Sequence, residues 1–118
     1  MKIAEIQKLL DAEILCCEEN LDKNVFSAFG CDLMSDVLAH VTDQSVLLTG
    51  LVNAQVIRSA LMVDMVCIIF VRSKTPTEDM IDLAKENGIV MMRTDKTLYT
   101  SSGILYQNGL VGTPVASK

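Results

Sequence analysis

Apolar positions recur at two spacings along this chain, and the alternation between them divides it into elements. In the first ten residues Ile3, Ile6, Leu9 and Leu10 share one helical face while Lys2, Glu5 and Lys8 share the other, predicting a short amphipathic helix. AEILCC (12–17) reads as a strand, the polar EENLDKN after it as a loop, and VFSAFG (25–30) as a second strand stopped by Gly30. Helical spacing returns in DLMSDVLAHV through Leu33, Met34, Val37, Leu38 and Val41. Asp32 stands where it can cap that helix, with Asp36 in the first turn and His40 in the last, as the macrodipole prefers.

After a turn at TDQ come three strand-then-helix units: SVLLTG with NAQVIRSALM, MVCIIFV with PTEDMIDLAKENG, and IVMMRT with DKTLYTSSGILYQNG. Their strands are continuous apolar runs, which is what burial on both faces of a parallel sheet requires. Thr75, Pro76 and Glu78 supply an N-cap, a proline at the first helical position and the glutamate of a capping box, and Gly88 is free to end that helix left-handed. The last helix is interrupted on paper by Ser101, Ser102 and Gly103, with Leu98, Leu105 and Tyr106 available to the core and Gly103 marking a close packing contact. VGTPVASK (111–118) has no periodicity and reads as a flexible tail. The expected fold is therefore α/β: one compact domain over residues 1–110, a mostly parallel sheet of about five strands with flanking helices.

At 118 residues the chain suffices for one domain with its own core. Aromatics are only 4% and Trp is absent, so that core falls to Val, Ile, Leu, Met and Ala. The net charge of −5 and the scatter of ten Lys and Arg exclude a nucleic-acid surface, because phosphate neutralisation needs clustered cations. Glu5 interrupts the only stretch that could open a signal peptide, and the longest apolar run, Met65 to Val71, is too short to span a bilayer. The expectation is a cytoplasmic protein without membrane contact. Cys16, Cys17, Cys31 and Cys67 lack the two-to-four-residue gaps of a metal loop and read as small buried hydrophobes, so neither metal nor cofactor is expected.

Few residues offer chemistry. His40, the only histidine, falls on the exposed side of its helix, and no Gly-x-Ser-x-Gly elbow presents a serine. Asp32, Asp36 and Asp64 lie beside apolar runs, but each has a structural job as cap, dipole partner or turn residue. In an open parallel sheet the ligand crevice lies beyond the carboxyl ends of the strands. The crossovers there contain Thr49, Gly50 and Asn53; Arg72 and Lys74; and Arg93 and Thr94. An anion would meet helix N-termini and the cations Arg72, Lys74 or Arg93. TGLVN matches neither the P-loop nor the dinucleotide fingerprint, and an ordinary crossover needs the same break and cap.

Gly30, Asp32, Leu33, Ser35, Asp36 and Val37, followed by Leu48-Thr49-Gly50 and the terminal GILYQNGL, resemble the DRTGG domain, in particular its small stand-alone bacterial members. The resemblance runs from about Ile3 to Leu110. The naming motif departs from type: Asp22-Lys23-Asn24-Val25-Phe26-Ser27-Ala28-Phe29 keeps the acid and a basic residue and loses the paired glycines. Such domains occur beside CBS pairs and before phosphotransacetylase catalytic domains, and are related to the N-terminal domain of HPr kinase/phosphorylase. The resemblance implies a regulatory module rather than an enzyme, with self-association. The resulting expectation is a non-catalytic homodimer that senses a nucleotide or phosphorylated metabolite at the strand ends. A protein-binding module without a small ligand is the alternative, and an enzyme using Asp36 or Asp64 the third.

Overall fold

A computed structural model describes residues 1–42 and 44–113. The strands are β1 (Glu13–Cys16), β2 (Ser27–Gly30), β3 (Ser45–Thr49), β4 (Cys67–Phe70) and β5 (Val90–Arg93), with helices α1 (Ile3–Leu10), α2 (Met34–His40), α3 (Gln55–Met62), α4 (Glu78–Glu86) and α5 (Leu98–Gln107). They form one sheet in the order β1-β5-β4-β3-β2. β2 to β5 are parallel, in register through Ser27 with Ser45, Val46 with Cys67, and Cys67 with Val90. β1 closes the edge antiparallel to β5, with Glu13 opposite Arg93 and an irregularity between Ile14 and Cys16. The expected α/β fold with a mostly parallel five-stranded sheet is the fold observed.

The three crossovers β2-α2-β3, β3-α3-β4 and β4-α4-β5 step along the sheet in one direction, so their common hand stacks α2, α3 and α4 in one layer. α1 packs with α5, and α5 lies on β2 and β3, covering the other face. Both faces being covered, every residue of β3 and β4 is buried, among them Leu47, Leu48, Ile68, Ile69 and Phe70. Continuous apolar strands are the sequence's response to that double burial.

Several local expectations change. Thr77, not Thr75, caps α4: its Oγ1 accepts from the Met80 amide at 3.3 Å, while Thr75 accepts from Arg93 Nη1 at 2.7 Å. Pro76 is buried ahead of the cap instead of opening the helix, because the cap at Thr77 places it one residue outside. Gly88 takes φ +70 after α4, as expected. α5 runs unbroken through Ser101, Ser102 and Gly103; Leu105 is buried, but Tyr106 points outward. The close approach expected at Gly103 occurs at Gly30, where an added Cβ would lie 3.1 Å from Leu98 Cδ1. Val111, Gly112 and Thr113, expected to belong to a loose tail, lie along the free edge of β2: the Ala28 amide donates to Val111 O at 2.9 Å and the Thr113 amide to Ala28 O at 3.0 Å. Residues 114–118 of that expected tail lie outside the described residues.

All four cysteines are free, and Cys16, Cys17 and Cys67 are buried as expected. Cys31 is half-buried, its Sγ 3.2 Å from the Leu33 amide. Burial pushes the Cys16 thiol up to about 11 and raises Cys17 and Cys67 as well, which removes them as nucleophiles.

Candidate functional site at the carboxyl ends of the strands

The Cys31 amide donates to Leu48 O at 3.0 Å, carrying the β2–β3 ladder past Gly30 and bringing Asp32 beside the end of β3. There Asp32 Oδ1 accepts from Thr49 Oγ1 at 2.8 Å and from the Gly50 amide at 2.9 Å. Asp32 therefore does not cap α2, whose flanking residue Leu33 has no side-chain cap. The Gly50 amide, then the Thr49 hydroxyl, hold its carboxyl below the usual carboxylate range; burial opposes them and the Arg72 charge assists. The Leu51 amide donates to Thr49 Oγ1 at 3.1 Å, so the Thr49 hydroxyl links Asp32 to the crossover backbone.

Arg72 enters from the end of β4. Arg72 and Ser73 both adopt left-handed backbone, at φ 54 and 55, and their amides donate to Lys96 O and Thr94 O at 2.8 Å each. α4 and α5 leave the adjacent strands β4 and β5 for opposite layers, and these two bonds stitch the strand ends together where the helices part. The Arg72 guanidinium lies over the bare face of Gly50: a Cβ there would stand 2.8 Å from Nη2. Arg72 and Lys74 are exposed, and neither has an ion-pair partner among the described residues.

Thr49, Gly50 and Arg72 are thus brought together around Asp32. Asn53 turns inward to its own helix start, its Oδ1 accepting from the Gln55 amide at 2.8 Å. Arg93 does not join the group, because it is held at the β1 edge by an ion pair with Glu13 and by Thr75. Thr94 is also withdrawn: it is buried and donates its hydroxyl to Leu10 O at 2.8 Å. The sequence assigns Asp32 a capping role and not this one, since a bond to residues 17 and 18 positions away leaves no local trace.

Asp36 is exposed in the first turn of α2, and Asp64 is exposed at φ 55 in the turn before β4. They therefore stand at opposite ends of the strands. Asp64 joins Lys23, Gln44 and Asn87 around a cleft of about 430 Å³ at the amino ends, which the sequence did not announce. His40 is less solvated than its helix position suggests: its Nδ1 is buried without a partner among the described residues. No group of three or more His, Cys, Asp or Glu that could hold a metal occurs among the described residues. No helix there is long and apolar enough to cross a membrane.

The sequence model of the DRTGG domain matches residues 5–107. This chain belongs to the DRTGG domain family. The DRTGG fold is also found in the crystal structure of the CBS and DRTGG domains of the regulatory region of Clostridium perfringens pyrophosphatase, complexed with its activator, diadenosine tetraphosphate. The two are similar with a TM-score of 0.73 and 20% identity over 99% of this chain and 50% of that one, so this chain spans about half of its neighbour's length. None of the curated proteins matches the chain. In this DRTGG domain Asp22 and Lys23 are exposed ahead of β2, and Ser27 stands in the stretch without the paired glycines. Its buried hydroxyl bonds Ser45 Oγ at 2.9 Å and Thr113 Oγ1 at 3.0 Å.

Proposed function

We propose that this DRTGG domain is a non-catalytic regulatory module that senses a small anionic metabolite or nucleotide at the carboxyl ends of β3 and β4. The observation that carries the reading is Arg72: an exposed guanidinium laid over Gly50, without an ion-pair partner among the described residues, on a loop with two left-handed residues in succession. Backbone of that kind costs free energy and clusters at ligand clamps. Because Asp32 occupies the Gly50 amide and the Thr49 hydroxyl, the ligand contacts narrow to Arg72 and Lys74, with Thr49, Gly50 and Asn53 shaping the crossover beneath. The diadenosine tetraphosphate complex of the Clostridium perfringens regulatory region supports a phosphorylated ligand, although that region also contains CBS domains. We also propose that the module is a homodimer and works in the cytoplasm, where its free thiols stay reduced.

The test is a thermal-shift screen against ATP, diadenosine tetraphosphate, acyl phosphates and sugar phosphates. A bound ligand at a hundredfold excess over Kd stabilises by about 2.7 kcal/mol. Arg72→Ala and Gly50→Val are expected to fold and to lose that stabilisation. A ligand-induced shift that survives both changes places the site elsewhere. A flat screen of the wild type favours the second reading, a protein-binding module without a small ligand, for which the exposed Phe26 and Leu33 are the supporting observation.

A further inference from the structure

We infer that the outer face of α5 is the surface on which two copies of this chain pair. The inference rests on the self-association proposed above and is independent of the ligand. α5, LYTSSGILYQ, carries no charged residue, whereas α1 has Glu5 and Lys8, α2 has Asp36, α3 has Arg58 and α4 has Glu78, Asp79 and Asp82. That difference matters for a second copy in particular. Across a two-fold axis a residue near the axis meets its own counterpart, so any charge there meets a like charge. In a chain of net charge −5, α5 is the helix that can cross its own copy without that repulsion.

The face itself is apolar, aromatic and open. Tyr99 is 90% and Tyr106 70% exposed, and Gly103 lies between them, four residues after one and three before the other, on the same side of the helix. A Cβ on Gly103 would have nothing within 4 Å, so the backbone there lies bare. Together with Thr100, Ser102 and Gln107 these residues line a groove of about 630 Å³. The groove has no cation, which argues against an anionic metabolite. It does have what a self-complementary contact requires: two tyrosine knobs flanking a glycine hole on one helix. Tyrosine also suits such a contact, offering a large apolar ring with a hydroxyl that can reach the wet rim.

Sedimentation of the full chain at high micromolar concentration tests this. The wild type is expected at twice the 12.9 kDa chain mass. Gly103→Arg is expected at the monomer mass and still folded, because the open space accepts the new side chain and a helix prefers it to glycine. Should that variant fail to fold, Tyr106→Lys replaces it, its ring being outside the core. Met62→Arg, on the exposed side of α3, is expected to remain dimeric. A dimeric Gly103→Arg, or a monomeric Met62→Arg, overturns the α5 face while leaving self-association standing. A monomeric wild type overturns both, and leaves the face to a different protein.

Discussion

Asp32 stands one residue before the flank of α2, where a local reading makes it a cap, yet its carboxylate reaches the end of β3 instead. A cap would satisfy one orphan amide of a seven-residue helix, whereas the crossover offers a hydroxyl and an amide to the same oxygen. Replacing this carboxylate by the isosteric amide removes the charge from both bonds. Asp32→Asn is expected to lower stability at pH 7 by about 1 kcal/mol, at the low end for bonds to a charged group because the site is exposed. The folded pKa is depressed, so the wild type's advantage is present above the unfolded value of about 3.9 and is lost as pH falls through the lower folded value. Urea denaturation of both proteins between pH 7 and pH 2 checks this; a gap that widens in acid would rule out the assigned bonding. Arg93 and Thr94 show the same limit of local reading. They stand beside a crossover in sequence, but Glu13 and Leu10, both remote, decide where their side chains go.

Elements were legible where one physical requirement dominates. β3, β4 and β5 are read correctly because burial on both faces keeps their central positions continuously apolar, and α1 and α4 because one face is wet. The direction of β1 was not legible, since a four-residue strand carries no mark of which way its neighbour runs. The start of α4 was ambiguous by two residues, because Thr75 and Thr77 flank Pro76 and either could cap. The structure separates them by geometry, and the two geometries predict different losses. Thr77 satisfies the orphan Met80 amide, so Thr77→Ala is expected to cost about 1 kcal/mol. Thr75 bonds only the exposed Arg93, so Thr75→Ala is expected to stay within about 0.5 kcal/mol of wild type. Chemical denaturation of the pair measures the difference, and equal losses would move the cap back to Thr75. In α5 small polar residues suggested a break; the helix instead runs through them, with Ser101 buried on its inner side.

At the scale of the molecule, the chain must cross from β1 at one edge of the sheet to β2 at the other, and both ends of the described chain secure that passage. Ile3 and Ala4 donate to Lys23 O and Leu21 O, and the Val25 amide donates to Met1 O at 2.7 Å. On the far side Val111 and Thr113 bond both backbone groups of Ala28, and the Thr113 hydroxyl meets Ser27. None of this was legible, because a segment without periodicity gives no sign that its backbone adds to an edge. It has a measurable consequence. Ending the chain after Leu110 removes two backbone hydrogen bonds and one of the two partners of the buried Ser27 hydroxyl, so the shortened domain is expected to lose about 2 kcal/mol of stability. The loss should concentrate at β2: hydrogen exchange should rise first at the Ala28 amide, which loses its acceptor Val111 O. The Met91 and Met92 amides, inside the sheet, should change only with global stability. Unchanged stability and unchanged protection at Ala28 would show that the edge pairing contributes nothing, and residues 111–113 would then be a tail in energetic terms.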